Sequence, residues 1–278
     1  MKSPLLYRRA AFTLIELVVV LLILAAIAGL VIPNISMLGR TTDMAVSAKT
    51  QADVANQVGL FFVLQKRYPQ GMDSLLDTTG AVYAADTTNG DTQTKGLPYA
   101  GADGSRMQSQ LTPATLTNAT NAEYLRSLTR AGVDWVWDHD TAAVNSNLSN
   151  TGFRALVAGY SSPGIPDTAG VAGAATVAEL NAIAPLVVKL NGKPLVAGER
   201  VVAFGFGQKN SAMGKTTTTV PLYPGADKTY YGRYIVFLKI YASGERATLL
   251  GVSDSYGRTP DYTQQQFNES LPDGSRQG

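Results

Sequence analysis

Asp138-His139-Asp140, with Asp134 just upstream, is the one compact group of metal-type ligands in the sequence. Carboxylates and carbonyl oxygens suit a hard cation such as Ca²⁺. His139 is the single histidine and there is no cysteine, which excludes thiolate zinc sites, Cys nucleophiles, disulfide scaffolds and multi-His centres together. The cluster fits no calcium-loop spacing, and its simpler reading is a set of solvated loop residues. The expectation is no metal and no cofactor, with Asp138 and Asp140 the candidates if calcium binds. Gly214-Lys215-Thr216 closes a segment beginning at Gly207, but Lys209 stands where a phosphate loop needs its first glycine, and a threonine run follows in place of a helix. Trp135 and Trp137 are able to stack on a sugar, although packing from a strand face is the commoner use of such a pair. Scattered serines and one histidine make no triad. No enzymatic chemistry emerges. With 23 basic and 21 acidic residues the net charge is +2, too small to draw nucleic acid.

The remaining chemically notable group is Glu16. From Phe12 to Ile32 the only polar residues are Thr13 and Glu16. As a helix this stretch spans about 31 Å, the thickness of a bilayer's hydrocarbon core. Lys2, Arg8 and Arg9 precede it without any acid, and the flank beyond is of mixed charge. That asymmetry places the leader in the cytoplasm and the bulk of the chain outside. A carboxylate within a span is costly and calls for a partner. Cleavage between Ala11 and Phe12 supplies one, a free α-amino group at Phe12, cationic below its ordinary pKa of about 8. The helix dipole also favours an acid in the first turns.

Ala11-Phe12-Thr13-Leu14-Ile15-Glu16-Leu17 and the apolar run after it resemble the N-terminal signal of type IV prepilins and type II secretion pseudopilins. The resemblance implies cutting by a prepilin peptidase between Ala11 and Phe12 and N-methylation of Phe12. It implies that Glu16 guides registration of subunits during filament assembly. Pro33 falls where many of these proteins carry a helix-disturbing proline, and Ala11 stands where the family most often has Gly. The partners implied are the peptidase, copies of the chain or related pilins, an inner-membrane assembly platform, and the membrane before assembly. The implied location is the bacterial inner membrane, single-pass with the head outside the cytoplasm, followed by a periplasmic or surface filament. An ordinary secretory signal has Ala26-Ile27-Ala28 in its favour, with Glu16 inside the apolar core against it. A signal anchor explains the span and not the acid. The functional alternative is a membrane-anchored extracytoplasmic binding domain using a prepilin-type anchor.

Such a signal needs a helix to display it. Met37, Thr41, Met44, Ala48, Gln51, Ala55, Val58 and Phe62 form one helical stripe, with Arg40, Asp43, Ser47, Thr50 and Asp53 opposite. Gly29 and Pro33 mark the place to kink or melt, because Pro33 has no N–H for the carbonyl of Gly29. The helix should stop near Lys66-Arg67, since Tyr68 precedes Pro69. Unbroken from Phe12, it would reach about 84 Å. Tyr68-Pro69-Gln70-Gly71 and the residues after it resemble the segment following the long helix in pseudopilins.

Residues 77–120 lack periodicity and read as a long surface loop. Thr120 with Glu123 makes a capping-box pattern for a helix to about Arg130, and Thr176 with Glu179 repeats it. Strand patterns lie at 133–138, 153–160, 186–190, 201–206, 234–241 and 247–252, the last two joined by a turn at 242–246. The expected architecture is α+β and pilin-like: a long N-terminal helix, transmembrane in its first half, packed on a mainly antiparallel sheet. The expected divisions are a leader (1–11), a transmembrane assembly helix (12–33), its amphipathic continuation (34–67), a globular head (68–255) and a polar, loosely held tail (256–278).

Overall fold

The computed structural model describes residues 14–76, 111–117, 121–138, 144–146, 153–158, 190–193, 195–224 and 231–261. Within the first helix, side chains are described for 14–29 and 42–65. The chain divides into two compact units, Met1–Thr42 and Asp43–Gly278.

Helix α1 runs Leu14–Gln65. In the first unit the described side chains from Leu14 to Ile27 are exposed and, Glu16 apart, apolar. From Asp43 on, the helix is amphipathic and buries Ser47, Ala48, Gln51, Val54, Val58 and Phe61. Of the expected stripe, Ala48, Gln51 and Val58 are buried and Ala55 and Phe62 lie partly buried at its edge; the departures are Val54 and Phe61, wholly buried, and Ser47, buried where it was expected outward. Large side chains at 54 and 61 bury more apolar area than alanine at 55 does, and that area decides which face turns inward. The helix stops before Lys66, which has φ 57°, close to the stop expected ahead of the Tyr68-Pro69 dipeptide.

In the second unit the chain continues with β1 (Leu111–Leu116), α2 (Ala122–Arg130), β2 (Trp135–Trp137), β3 (Val144–Ser146), β4 (Phe153–Ala158), β5 (Glu199–Gly205), β6 (Ile235–Tyr241) and β7 (Thr248–Ser253). Five strands form one sheet in the order β1-β4-β5-β6-β7, antiparallel at every pairing, and β2 pairs with β3. The fold is α+β, with an N-terminal helix and an antiparallel five-stranded sheet.

Strand alternation gives the sheet two apolar faces. Val202, Phe204, Val236, Leu238 and Ile240 join Val54, Val58 and Phe61 of α1 and Tyr124, Leu125 and Leu128 of α2 in one core. Val201, Ala203, Ile235 and Phe237 point the other way, to Leu75, Leu76, Leu111, Leu156 and Leu195. A sheet buried on both faces reads as near-continuous apolar sequence, and β5 and β6 do.

Three expectations need correction. Residues 77–120 are not loop throughout: β1 lies within them, and its Pro113 pairs with Leu156 at the sheet edge, where a missing N–H is tolerated. The N-cap of α2 is Asn121, without a side-chain capping bond. The tail does not loosen at residue 256: Tyr256 packs on the first core, and Arg258 donates to the Tyr223 hydroxyl at 2.9 Å. The second capping-box helix and most of strand 186–190 lie outside the described residues.

Candidate functional site

Ala11 and Phe12 lie outside the described residues. Glu16 occupies the first turn of α1, exposed among exposed leucines and valines. This end of a helix carries unsatisfied N–H groups and the positive pole of the dipole, so an acid is electrostatically at home there. Gly29 and Pro33 both fall within α1, and a side chain at Gly29 would meet open space. Among the described residues no helix is long and apolar enough to cross a membrane. The apolar side chains described run from Leu14 to Gly29, about 24 Å of helix against a hydrocarbon core of about 30 Å.

The segment after α1 organises the second unit. Tyr68 N–H donates to the carbonyl of Ala131 (2.7 Å), and the Tyr68 hydroxyl accepts from Leu249 N–H (2.9 Å). Gln70 receives Trp135 Nε1–H at 3.2 Å and donates to Asp134 Oδ2 at 2.8 Å. Gly71 holds φ +69°, and a Cβ there would stand 2.6 Å from the Trp135 ring, so only glycine fits. Asp73 exchanges both backbone bonds with Gly205 (2.9 and 2.8 Å), while Ser74 N–H donates to Trp137 and Trp137 N–H to Met72 (2.8 Å each). One stretch of chain thereby ties β2 to β5.

Of the acidic cluster, His139 and Asp140 lie outside the described residues. Asp138 is buried. Its Oδ1 accepts from Ser74 Oγ at 3.1 Å, and its Oδ2 is ion-paired with Arg154. Asp134 is engaged by Gln70. Among the described residues no cluster of three metal-type ligands forms. The tryptophans flank the buried Val136 on the half-buried face of β2, edge to face at 5.4 Å, and Lys209 Nζ lies 4.6 Å over the Trp137 ring. The core residue of that strand is therefore Val136, with the pair outside it.

Sequence reasoning missed the groups that answer the buried charges. Arg154 pairs with Asp138, and Lys239 pairs with Glu199 at 3.0 Å. The signal was available: each cation stands alone in an otherwise apolar strand, Phe153–Ala158 and Ile235–Tyr241. Asp254 was also missed. It is wholly buried at the end of β7, and its Oδ1 accepts from the N–H groups of Tyr256 (3.0 Å) and Arg258 (2.8 Å). Burial pushes its carboxyl up to about 6, against the pull of those bonds and of the Arg258 charge.

The α+β architecture with its N-terminal helix is consistent with a pilin-like protein. Residues 6–32 match the family model described as the prokaryotic N-terminal methylation motif. That match supports a type IV pilin-like prepilin signal and implies a pilin-type protein processed by a prepilin peptidase; such motifs are typical of membrane-anchored, extracytoplasmic pilin-like proteins. Comparison with curated proteins and with solved structures gives no match.

Proposed function

We propose that the chain is a structural, non-enzymatic subunit of a type IV pilus-like or type II secretion pseudopilus filament. In this reading it is inserted in the inner membrane through 12–33, with the head outside the cytoplasm. It is cut between Ala11 and Phe12 and methylated on the new amine. An assembly platform then draws it into a fibre beside copies of itself or related pilins. The observation that carries the reading is the methylation-motif match at 6–32, which covers both the cut and Glu16. Support comes from the exposed apolar side chains of Leu14 to Ile27, which gain by leaving water for lipid or for other helices. Transfer from lipid to a bundle of like helices yields little hydrophobic energy, so packing and polar pairing must favour the filament. Glu16 opposite a Phe12 amine provides such a pair, and its cost when unmatched fixes the register.

Mass spectrometry of the mature N-terminus is the direct test. The expected chain starts at Phe12 and is heavier by one methyl group, about 14 Da; a chain starting at Gly29, or one retaining Met1, defeats the proposal. Glu16→Ala should be cleaved and inserted normally yet lose most of its incorporation into filaments. Undiminished incorporation would remove Glu16 from the assigned role.

A further inference from the structure

A lysine, an asparagine and a glutamate meet on one face of the sheet, in a group the filament reading does not use. Lys239 on β6 and Glu199 on β5 share a face, because Lys239 pairs across the strands with Val201 and Glu199 lies two residues before it. Their side chains are each 12% exposed, and Lys239 Nζ lies 3.0 Å from Glu199 Oε1. The same Nζ lies 3.3 Å from Asn191 Oδ1. Two leucines hold the asparagine there: Leu190 packs against the second core and Leu195 is buried in it. The Asn191 amide is also oriented, since its Nδ2 donates to the carbonyl of Lys193 at 2.8 Å, which turns Oδ1 toward the lysine. Glu199 is fixed in turn, its Oε2 accepting from Val196 N–H at 3.1 Å.

We propose that Lys239 and Asn191 join through an intramolecular isopeptide bond, with Glu199 as the proton-transfer group. A lysine amine is a nucleophile once deprotonated, and an adjacent base in hydrogen-bond reach is the usual means of activation. The Glu199 carboxylate takes one proton from the ε-ammonium, and the free Nζ adds to Cγ of Asn191. The Nζ–Cγ bond forms and the Cγ–Nδ2 bond breaks. Glu199 hands its proton to the departing nitrogen, which also takes the second proton shed by Nζ and leaves as ammonium. Glu199 ends as the carboxylate it began as. Nothing is oxidised or reduced, and no co-reactant is needed. Fixed neighbours at contact distance supply the proximity that makes such an amide exchange feasible.

The bond would close a loop between positions 48 apart in sequence, covalently anchoring the chain before β5 to β6. A cross-link of this kind restricts the unfolded chain and removes the enclosed segment from the length that pulling can extend. The inference stands without the filament reading.

Intact-mass measurement of the purified full chain, with protease mapping, tests it. The expected result is a mass lower by one ammonia, about 17 Da, and a branched peptide joining the segments around Asn191 and Lys239. Lys239→Arg, which keeps the cation beside Glu199, and Asn191→Ala should each restore the full mass. Glu199→Gln should lose most of the linked species. Asn191-Gly192 is also a sequence where a cyclic imide loses the same mass. A loss of about 17 Da that persists in Lys239→Arg, or linear peptides only from the unsubstituted chain, overturns the proposal.

Discussion

Leu22 and Val58 belong to the same helix and live in different worlds. Leu22 is 64% exposed and its apolar neighbours from Leu14 to Ile27 resemble it, whereas Val54, Val58 and Phe61 are wholly buried. Both stretches are α-helix. What differs is whether the chain covers its own apolar surface. In the head, the sheet and α2 supply the cover, and each large apolar side chain fully buried contributes about 1.5–3 kcal/mol. In the first unit the described side chains from Leu14 to Ile27 are exposed, and in the proposed filament reading their cover is lipid or neighbouring helices. A continuous helix is thus no guide to where its stability arises, because in proteins most of that comes from packing.

The sharpest way to break the contrast is a matched pair of truncations. Phe61→Ala should cost the head about 3–5 kcal/mol by opening a cavity in a packed core. Leu21→Ala should leave the head's unfolding midpoint within about 0.5 kcal/mol. Denaturant unfolding of the detergent-solubilised full chain, followed by tryptophan emission from Trp135 and Trp137, measures both. Equal losses would mean that the two stretches are not separate in energy.

Charge repeats the contrast on a smaller scale. Glu16 is exposed at the helix start, while Asp138 is buried with Arg154 as its partner. Asp138→Ala removes the ion-pair partner of a guanidinium that is one-fifth exposed, and the expected loss is about 3 kcal/mol. Adding Arg154→Met should recover most of it, since replacing both partners removes the unmatched charge. A double variant no better than the single would show that Ser74 and the backbone around Asp138 carry the cost instead.

The two regions also differed in how far the sequence disclosed them. The N-terminal signal was legible because an acid among aliphatic residues has few meanings, and the match at 6–32 falls on it. In the head, β4 to β7 were legible from apolar runs separated by turn residues. The strand Leu111–Leu116 was not, because Pro113 and two threonines imitate a loop unless the edge position is known. The helix stripe was legible at Ala48, Gln51 and Val58, while Val54 and Phe61 were missed because alanine and phenylalanine count alike in a spacing pattern but not in buried area. Asp138 read as a solvated loop residue, with a calcium ligand as the lesser alternative, because its partner Arg154 lies on another strand. The Asp254 turn went unread since its bonds are to backbone N–H groups, which no side-chain pattern encodes.

Asp254 gives the head a pH dependence of its own. Its carboxyl is raised from the ordinary 3.8 to about 6 by burial. The neutral form is therefore favoured in the fold relative to the unfolded chain. The stabilisation is complete below about pH 4 and is lost as the pH rises through about 6, a change of about 2–3 kcal/mol. Asp254→Asn retains an acceptor for the N–H groups of Tyr256 and Arg258, so the variant's stability should fall less between pH 5 and pH 8. At pH 8 the gain over the unsubstituted chain should be about 1–2 kcal/mol, since the second amide position has no hydrogen-bond partner to receive it. Parallel urea-midpoint profiles for the two proteins would show that Asp254 ionises freely in the fold.

The smallest effect is expected at Gly29, where the two halves of the comparison meet the assembly proposal. Glycine inside a helix costs about 0.5–1 kcal/mol relative to alanine, and Pro33 already deprives the Gly29 carbonyl of its bond. A side chain at position 29 meets nothing within 4 Å, so Gly29→Ala should stiffen α1 without steric penalty. The head's midpoint should not move, because this position lies in the other unit. If the filament form requires local extension between Gly29 and Pro33, the variant will insert in the membrane as before and enter filaments less efficiently, by a few-fold for an energy of about 1 kcal/mol. Pro33→Ala, which restores the missing N–H, should act in the same direction and more strongly. Unchanged incorporation in both variants would mean that the helix enters the fibre unbroken, and that Gly29 and Pro33 are features of packing alone.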